Sequence, residues 1–195
     1  MRARRVLPVA AVLALAGCGS PPARFYRLTT ATPQVPARQI GGPPIEVQSV
    51  GLPPMLDRQA LVSGTGGTSV DVSGRDRWAA PLDGMIQRVL AADLQALLPG
   101  EVRWPGDLTP THATRSLRVN IAHFMPDAAG EVRLVADWAL FDHGTNVAGG
   151  HEAIRVAARE PQPAAETAAM SRALGVLAER IAGQVPAMTS PHRGR

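Results

Sequence analysis

Lysine is absent from this chain of 195 residues, since each of its 20 basic residues is an arginine. A phosphate-binding loop of the Walker A type needs a lysine, and a Schiff-base enzyme needs a primary amine. The glycine-rich segment at residues 63–67 is therefore not a nucleotide-binding loop, and we interpret it as a hairpin turn.

A surplus of basic charge is nearly absent as well. The formal net charge is +4, but three of the arginines lie within the first five residues. The rest of the chain holds 17 basic and 16 acidic residues, a balance of +1. No basic block is present, so nothing in the sequence supports nucleic-acid binding.

Cysteine occurs once, at Cys18, so no disulfide can form within the chain. It follows three early arginines and an apolar stretch at residues 6–16, which is too short to cross a membrane and has the layout of a secretory signal. The Leu-Ala-Gly-Cys tetrapeptide at 15–18 resembles a lipobox. We interpret residues 1–17 as a signal peptide and Cys18 as the lipidated residue, with S-diacylglycerol and N-acyl groups. The alternative is an ordinary secreted protein with a chance cysteine.

The rest of the chain is long enough for one domain with its own core. We expect a tether at 18–24, a domain at 25–188 and a disordered tail at 189–195. The tether spans at most about 25 Å if the domain begins at Phe25, or roughly 95 Å if it begins at Ile45. By the sorting rule of well-studied Gram-negative lipoproteins, Gly19 favours the outer membrane over retention in the inner membrane.

The hydrophobic pattern predicts an α/β fold: a single domain with a mixed β-sheet, an antiparallel meander and two long helices packed on it. Strands are expected at 25–28, 45–50, 101–104, 116–124, 131–141 and 153–157, and a hairpin is expected at 60–72. Helices are expected at 78–98 and 164–185, where apolar residues recur at helical spacing. The segment at 29–44 is rich in proline and predicts a loop. The three tryptophans are expected in the core.

Several local strings also match a known family. Phe-Tyr-Arg-Leu at 25–28 follows the cysteine closely, Val-Gly-Leu-Pro-Pro-Met-Leu-Asp-Arg occupies 50–58, Trp-Ala-Ala-Pro-Leu occupies 78–82, and Phe124 and Trp138 lie in the meander. Over roughly residues 24–185 the chain resembles the ABC-type transport auxiliary lipoproteins. These include the lipoprotein of the paraquat-inducible system and related partners of MCE-type lipid transporters.

The resemblance implies a non-enzymatic subunit at the outer membrane, lipid-anchored and facing the periplasm. Its implied partners are an MCE-domain protein and an ABC permease and ATPase, with a homo-oligomer left open. Two alternatives remain open: a module that carries lipid in a cleft between helix and sheet, and an envelope-assembly lipoprotein unrelated to transport. Candidate partner-docking residues are Pro53, Leu56, Asp57, Arg58 and Trp78, each of which could instead serve local structure. No cofactor or metal is expected, because the five histidines show no ligand spacing. No catalytic residue is expected either, because the G-x-S-x-G motif of a nucleophilic serine is absent.

Overall fold

The computed structural model describes residues 22–104 and 115–187. Cys18 and the predicted tail lie outside these ranges. The described elements are, in chain order, β1 (Arg24–Tyr26), β2 (Ile45–Gly51), β3 (Ala60–Gly66), β4 (Ser69–Trp78), α1 (Leu82–Leu97), β5 (Val102–Arg103), β6 (Arg115–Pro126), β7 (Glu131–Asp142), β8 (Thr145–Ala157) and α2 (Pro163–Gln184).

The larger sheet has five strands in the order β5-β2-β6-β7-β8. β2 runs parallel to both of its neighbours, whereas β6, β7 and β8 form an antiparallel meander. The turn between β6 and β7 forms because the Asp127 carboxylate accepts hydrogen bonds from the backbone N–H groups of Ala129 and Glu131, each at 2.9 Å. The predicted mixed sheet and meander are confirmed, and β8 begins eight residues earlier than predicted.

Both helices pack on one face of this sheet and against each other. α1 lies over β2, and α2 lies over β7 and β8. The helical stripe that predicted α2 is buried, with Leu174 and Leu177 fully inaccessible, and each such leucine stabilises the fold by ~2 kcal/mol relative to exposure. The predicted α/β class with two packed helices is therefore confirmed.

The remaining strands form a second sheet of three strands in the order β1-β4-β3, where the prediction placed all strands in one sheet. The predicted hairpin is confirmed, but β3 extends through most of the glycine-rich segment and the turn lies at Gly67 and Thr68. The φ angles of Gly66 and Gly67, 95° and 63°, fall in the left-handed region, which glycine adopts without strain.

The first helix begins at Leu82 and not at Trp78. Trp78 is the last residue of β4, where its N–H donates to the Gln59 carbonyl at 2.7 Å. Pro81 lies just before the helix, and its ψ of 132° is not helical. A proline also disfavours the helical conformation of the residue before it, here Ala80. The helix can therefore start only after the proline.

Trp104 is on the surface, with 52% of its area exposed, so its predicted core position is wrong. β5 has only two residues, and by alternation it buries Val102. Trp104 lies beyond the end of this strand, so the alternation of side chains along the strand does not place its indole in the core. Trp78 and Trp138 are buried as predicted.

The predicted loop at 29–44 has no regular secondary structure, but it is bound tightly across both helices as a strap. The N–H of Thr29 donates to Ser171 Oγ at 3.1 Å, and the N–H of Ala31 donates to Asp93 Oδ1 at 3.0 Å. The Arg38 guanidinium donates to the carbonyls of Ala182 and Val185 at the end of α2. Residues from β1 onward are thus fixed to the body of the protein.

Candidate partner-docking site

The 52–58 loop, which the sequence singled out, is a tight turn held by a buried leucine. The Pro53 carbonyl accepts hydrogen bonds from the N–H groups of Leu56 and Asp57 at 2.9 and 3.3 Å. The Leu56 side chain is buried, whereas Met55, Asp57 and Arg58 are exposed. Pro53 and Leu56 therefore have a structural role in holding the turn. The outer side of the turn exposes Met55, Asp57 and Arg58, which are accessible to a partner.

Trp78 lies apart from that exposed surface. Its indole is buried with Val62, beside Met170 of α2, where it joins the smaller sheet to the helical layer. The structure therefore assigns Trp78 a packing contact in this conformation.

Met55 borders a surface groove between the two sheets, which we call the hairpin groove. One wall is the tip of the β3–β4 hairpin, and the other is formed by the last residues of β6 and the outer face of β7 and β8. The groove encloses about 430 Å³. Its lining side chains include Met55, Val70, His123, Met125, Arg133 and Arg155.

The hairpin groove combines an apolar rim with two arginines and one carboxylate, Asp127, which accepts hydrogen bonds from the backbone of its own turn. Met55 and Val70 are large apolar residues that remain exposed. Arg133 and Arg155 face each other across β7 and β8, and Arg155 is paired with Glu131 at 2.7 Å. Burial lowers the pKa of His123, and the charge of Arg133 lowers it further, which favours the neutral imidazole. This surface suits a partner segment with apolar side chains and a carboxylate.

The segment nearest the predicted anchor is held by a buried carboxylate. Asp76 of β4 accepts hydrogen bonds from Arg24 Nε at 2.9 Å, Tyr26 Oη at 3.2 Å and Ser73 Oγ at 2.9 Å. Burial alone would raise the pKa of Asp76, but these hydrogen bonds and the Arg24 charge outweigh it and lower the pKa. β1 is thereby fixed to β4 by side chains as well as by backbone pairing.

The cleft between the smaller sheet and α2 tests the idea of a lipid carrier. It has a volume of about 80 Å³ and is lined by Asp71, Asp76 and Glu166 as well as by apolar side chains. Small-molecule sites typically occupy ~300–1,000 Å³ and are mostly apolar. This cleft is too small and too acidic for an acyl chain.

Residues 22–104 and 115–187 contain no group of three or more histidine, cysteine, aspartate or glutamate residues placed to hold a metal ion. Neither described helix combines the length and the apolar character needed to cross a membrane.

Sequence reasoning missed most of the hairpin groove. Alternation along β7 and β8 marks Arg133 and Arg155 as outward-facing, but many residues share that signal. Their proximity to Met55 and Val70 depends on how the hairpin of one sheet packs beside the other sheet. That relation between distant segments leaves no local pattern in the sequence.

Comparison with known proteins identifies the family. The chain matches the family model described as "ABC-type transport auxiliary lipoprotein component" over residues 26–182. A crystal structure described as an uncharacterized protein is similar, with a TM-score of 0.71 at 18% identity, covering 84% of this chain and 98% of that one. A DUF330 protein from Xanthomonas campestris is also similar, with a TM-score of 0.66 at 16% identity, covering 82% of this chain and 93% of that one.

At these identities the two solved structures show a shared fold and nothing more. No curated protein sequence matches the chain. The family match spans most of the chain and takes in both sheets and nearly all of the two helices. The chain therefore belongs to the family of ABC-type transport auxiliary lipoproteins.

Proposed function

We propose that this protein is a lipid-anchored auxiliary subunit of an MCE/ABC-type system that moves lipid between the inner and outer membranes. It is anchored through Cys18 in the outer membrane, faces the periplasm and binds its partner subunits without catalysing a reaction. The observation that carries the proposal is a lipobox cysteine eight residues before a domain that the family model matches over 26–182. The cleft between the smaller sheet and α2 is too small and too acidic to hold an acyl chain, so the proposal does not include lipid carriage at that position.

The hairpin groove is the surface we assign to the partner. It places an apolar rim next to two arginines, and its entrance is bordered by the same 52–58 loop that carries the family resemblance. A segment of the MCE-domain protein with apolar residues and a carboxylate would bury Met55 and Val70 and pair with Arg133. The energy for transport would come from the ATPase, because this chain has no nucleotide-binding loop.

Replacing Val70 with aspartate should weaken recovery of the MCE and ABC components with this lipoprotein. An aspartate at this position would leave an unpaired charge covered by the partner, and a cost of ~2 kcal/mol corresponds to about a 30-fold loss of affinity. The measurement is co-purification from detergent-solubilised envelopes of cells that express the whole system.

Val147→Asp is the matched control, since Val70 and Val147 are 43% and 41% exposed and both lie on strands. Equal loss with both variants would contradict the groove as the docking site. Wild-type protein that recovers no MCE or ABC component would contradict the proposed function itself.

Replacing Cys18 with serine should release the protein from the membrane. A serine hydroxyl does not form the thioether to diacylglycerol, and each buried methylene of the acyl chains contributes ~0.8 kcal/mol to anchoring. The measurement is separation of inner and outer membranes, with Ser20→Ala as a neighbouring control. Wild-type protein should float with the outer membrane, and a Cys18→Ser variant that stays there would disprove the anchor.

A further inference from the structure

Two aromatic side chains are exposed on a surface that has few of them. Phe25 is 65% exposed and Trp104 is 52% exposed, the highest values among the large apolar residues of the described ranges. By contrast, Trp78, Phe124 and Trp138 are buried. An indole combines an apolar ring with a polar N–H, so an exposed tryptophan is suited to a boundary between water and an apolar phase.

Trp104 borders a shallow groove beside the outer face of α1. The groove also takes in Arg27, Arg88 and Ala92, together with the residues just after β1. Both arginines are exposed, and neither forms an ion pair or hydrogen bond with any described residue. Among the described residues that line this groove, the only charged side chains are Arg27 and Arg88, and both are basic.

The groove lies close to the predicted anchor along the chain. Nine peptide steps separate Cys18 from Arg27, which limits their separation to about 32 Å when the chain is fully extended. The Asp76 hydrogen bonds and the pairing of β1 with β4 prevent this part of the chain from detaching to lengthen the tether. The acyl anchor therefore keeps the groove within reach of the membrane surface.

We propose that Arg27, Arg88 and Trp104 form a second membrane contact, which binds anionic phospholipid headgroups and places the indole at headgroup level. This inference rests on the lipid anchor of the proposed function. Tryptophan is favoured at the membrane–water interface because its apolar ring and polar N–H face different surroundings. Arginines near an anionic surface are attracted to it, each by about five-fold in affinity. Together they hold the domain in one orientation against the bilayer.

Tryptophan quenching by lipid provides the test. The mature lipidated protein is reconstituted into vesicles of phosphatidylethanolamine and phosphatidylglycerol whose acyl chains carry bromine near the headgroup. Emission should fall by roughly a third, because one of the 3 tryptophans reaches the lipid while the other two are buried. Trp104→Phe should abolish the quenching. Arg27→Gln with Arg88→Gln should reduce it to the level found in phosphatidylcholine vesicles.

Arg118→Gln with Arg159→Gln is the matched control, because it removes two exposed arginines elsewhere and should leave quenching unchanged. Wild-type protein that floats with the vesicles but shows no quenching would overturn the membrane contact. The same quenching is measured on the mature chain from Gly19, held on vesicles by an N-terminal histidine tag and nickel-chelating lipid. Quenching of this form alone would support the contact and contradict the native anchor.

Discussion

Replacing Arg115 with methionine should lower the free energy of unfolding by ~3–5 kcal/mol, a large share of the ~5–15 kcal/mol typical of a folded domain. The Arg115 side chain is fully buried at the start of β6. Its Nε donates to the Pro43 carbonyl at 2.7 Å and its Nη2 donates to the Gly41 carbonyl at 3.0 Å. These bonds fix the segment that leads into β2, the strand between β5 and β6.

Methionine fills much of the same volume but satisfies neither carbonyl. Burial lowers the pKa of Arg115, and the charges of Glu101 and Asp142 partly offset that effect. Without the guanidinium, both carbonyls lose their partner and the two carboxylates lose a compensating charge. The free energy lost with these polar partners therefore exceeds the free energy gained when a charged group is no longer buried.

Urea unfolding followed by tryptophan fluorescence measures the effect. Arg118→Met is the matched control, because Arg118 lies on the same strand, is exposed and contacts Gln48 and the ring of Phe141. This control should change the free energy by less than ~1 kcal/mol. Arg115→Lys should fall between the two, since lysine keeps the charge but lacks the planar fork that reaches both carbonyls. Equal stability of the two methionine variants would refute the role assigned to Arg115.

Replacing Asp93 with asparagine should stabilise the protein at neutral pH. Asp93 lies on α1 beneath the strap and is 2% exposed. Its Oδ1 accepts a hydrogen bond from the Ala31 N–H, whereas its Oδ2 has no partner among the described residues. The pKa of Asp93 is raised from 3.8 to about 6, chiefly by burial and also by the charge of Glu179, while the hydrogen bond from Ala31 opposes both.

The sign of the pH dependence follows from that pKa. Between pH 3.8 and about 6 the folded chain keeps a proton on Asp93 that the unfolded chain has released. The contribution of Asp93 to stability therefore falls as the pH rises through this range, and it stays low above it. The pKa difference between the folded and unfolded states corresponds to ~3 kcal/mol of stability. This value is the upper limit of the stability gained by Asp93→Asn at pH 7.5.

Stability curves of wild type and variant between pH 4 and 8 check this prediction. The difference between them should grow from pH 4 to pH 6 and then level off, because asparagine keeps the acceptor for Ala31 and carries no charge. Asp83→Asn is the control on the same helix, exposed in its first turn, and should show no such growth. If the stability difference between wild type and variant did not depend on pH, the raised pKa of Asp93 would be contradicted.

The most regular parts of the fold were open to prediction from sequence. Alternation of apolar and polar residues in β6 and β7, joined by a turn that begins with Asp127, predicted the hairpin at the centre of the larger sheet. The apolar stripe of α2 likewise predicted its buried face. In each case the signal is local, because the period of the side chains directly reports which face is buried.

β8 shows where that reasoning stops. Its first half contains Ala148, Gly149 and Gly150, which do not favour a strand in isolation. A Cβ atom at Gly149 would lie 2.9 Å from the Trp138 carbonyl, and one at Gly150 would lie 3.0 Å from Trp138 Nε1. These residues form a strand because β7 pairs with them and the backbone must pass close to a buried indole.

The sequence by itself determined the family resemblance, the fold class and the chemistry available at Cys18. The resemblance and the fold class depend on the spacing of residues that are close in the sequence. The chemistry at Cys18 depends on a thiol, which no other residue of the chain supplies. Only the tertiary structure decided that Trp104 is exposed, that the strap is bound over Asp93, and that Met55 meets Val70 in one groove. These features depend on contacts between segments far apart in the chain, and the energy of such contacts is fixed by packing and burial rather than by local pattern.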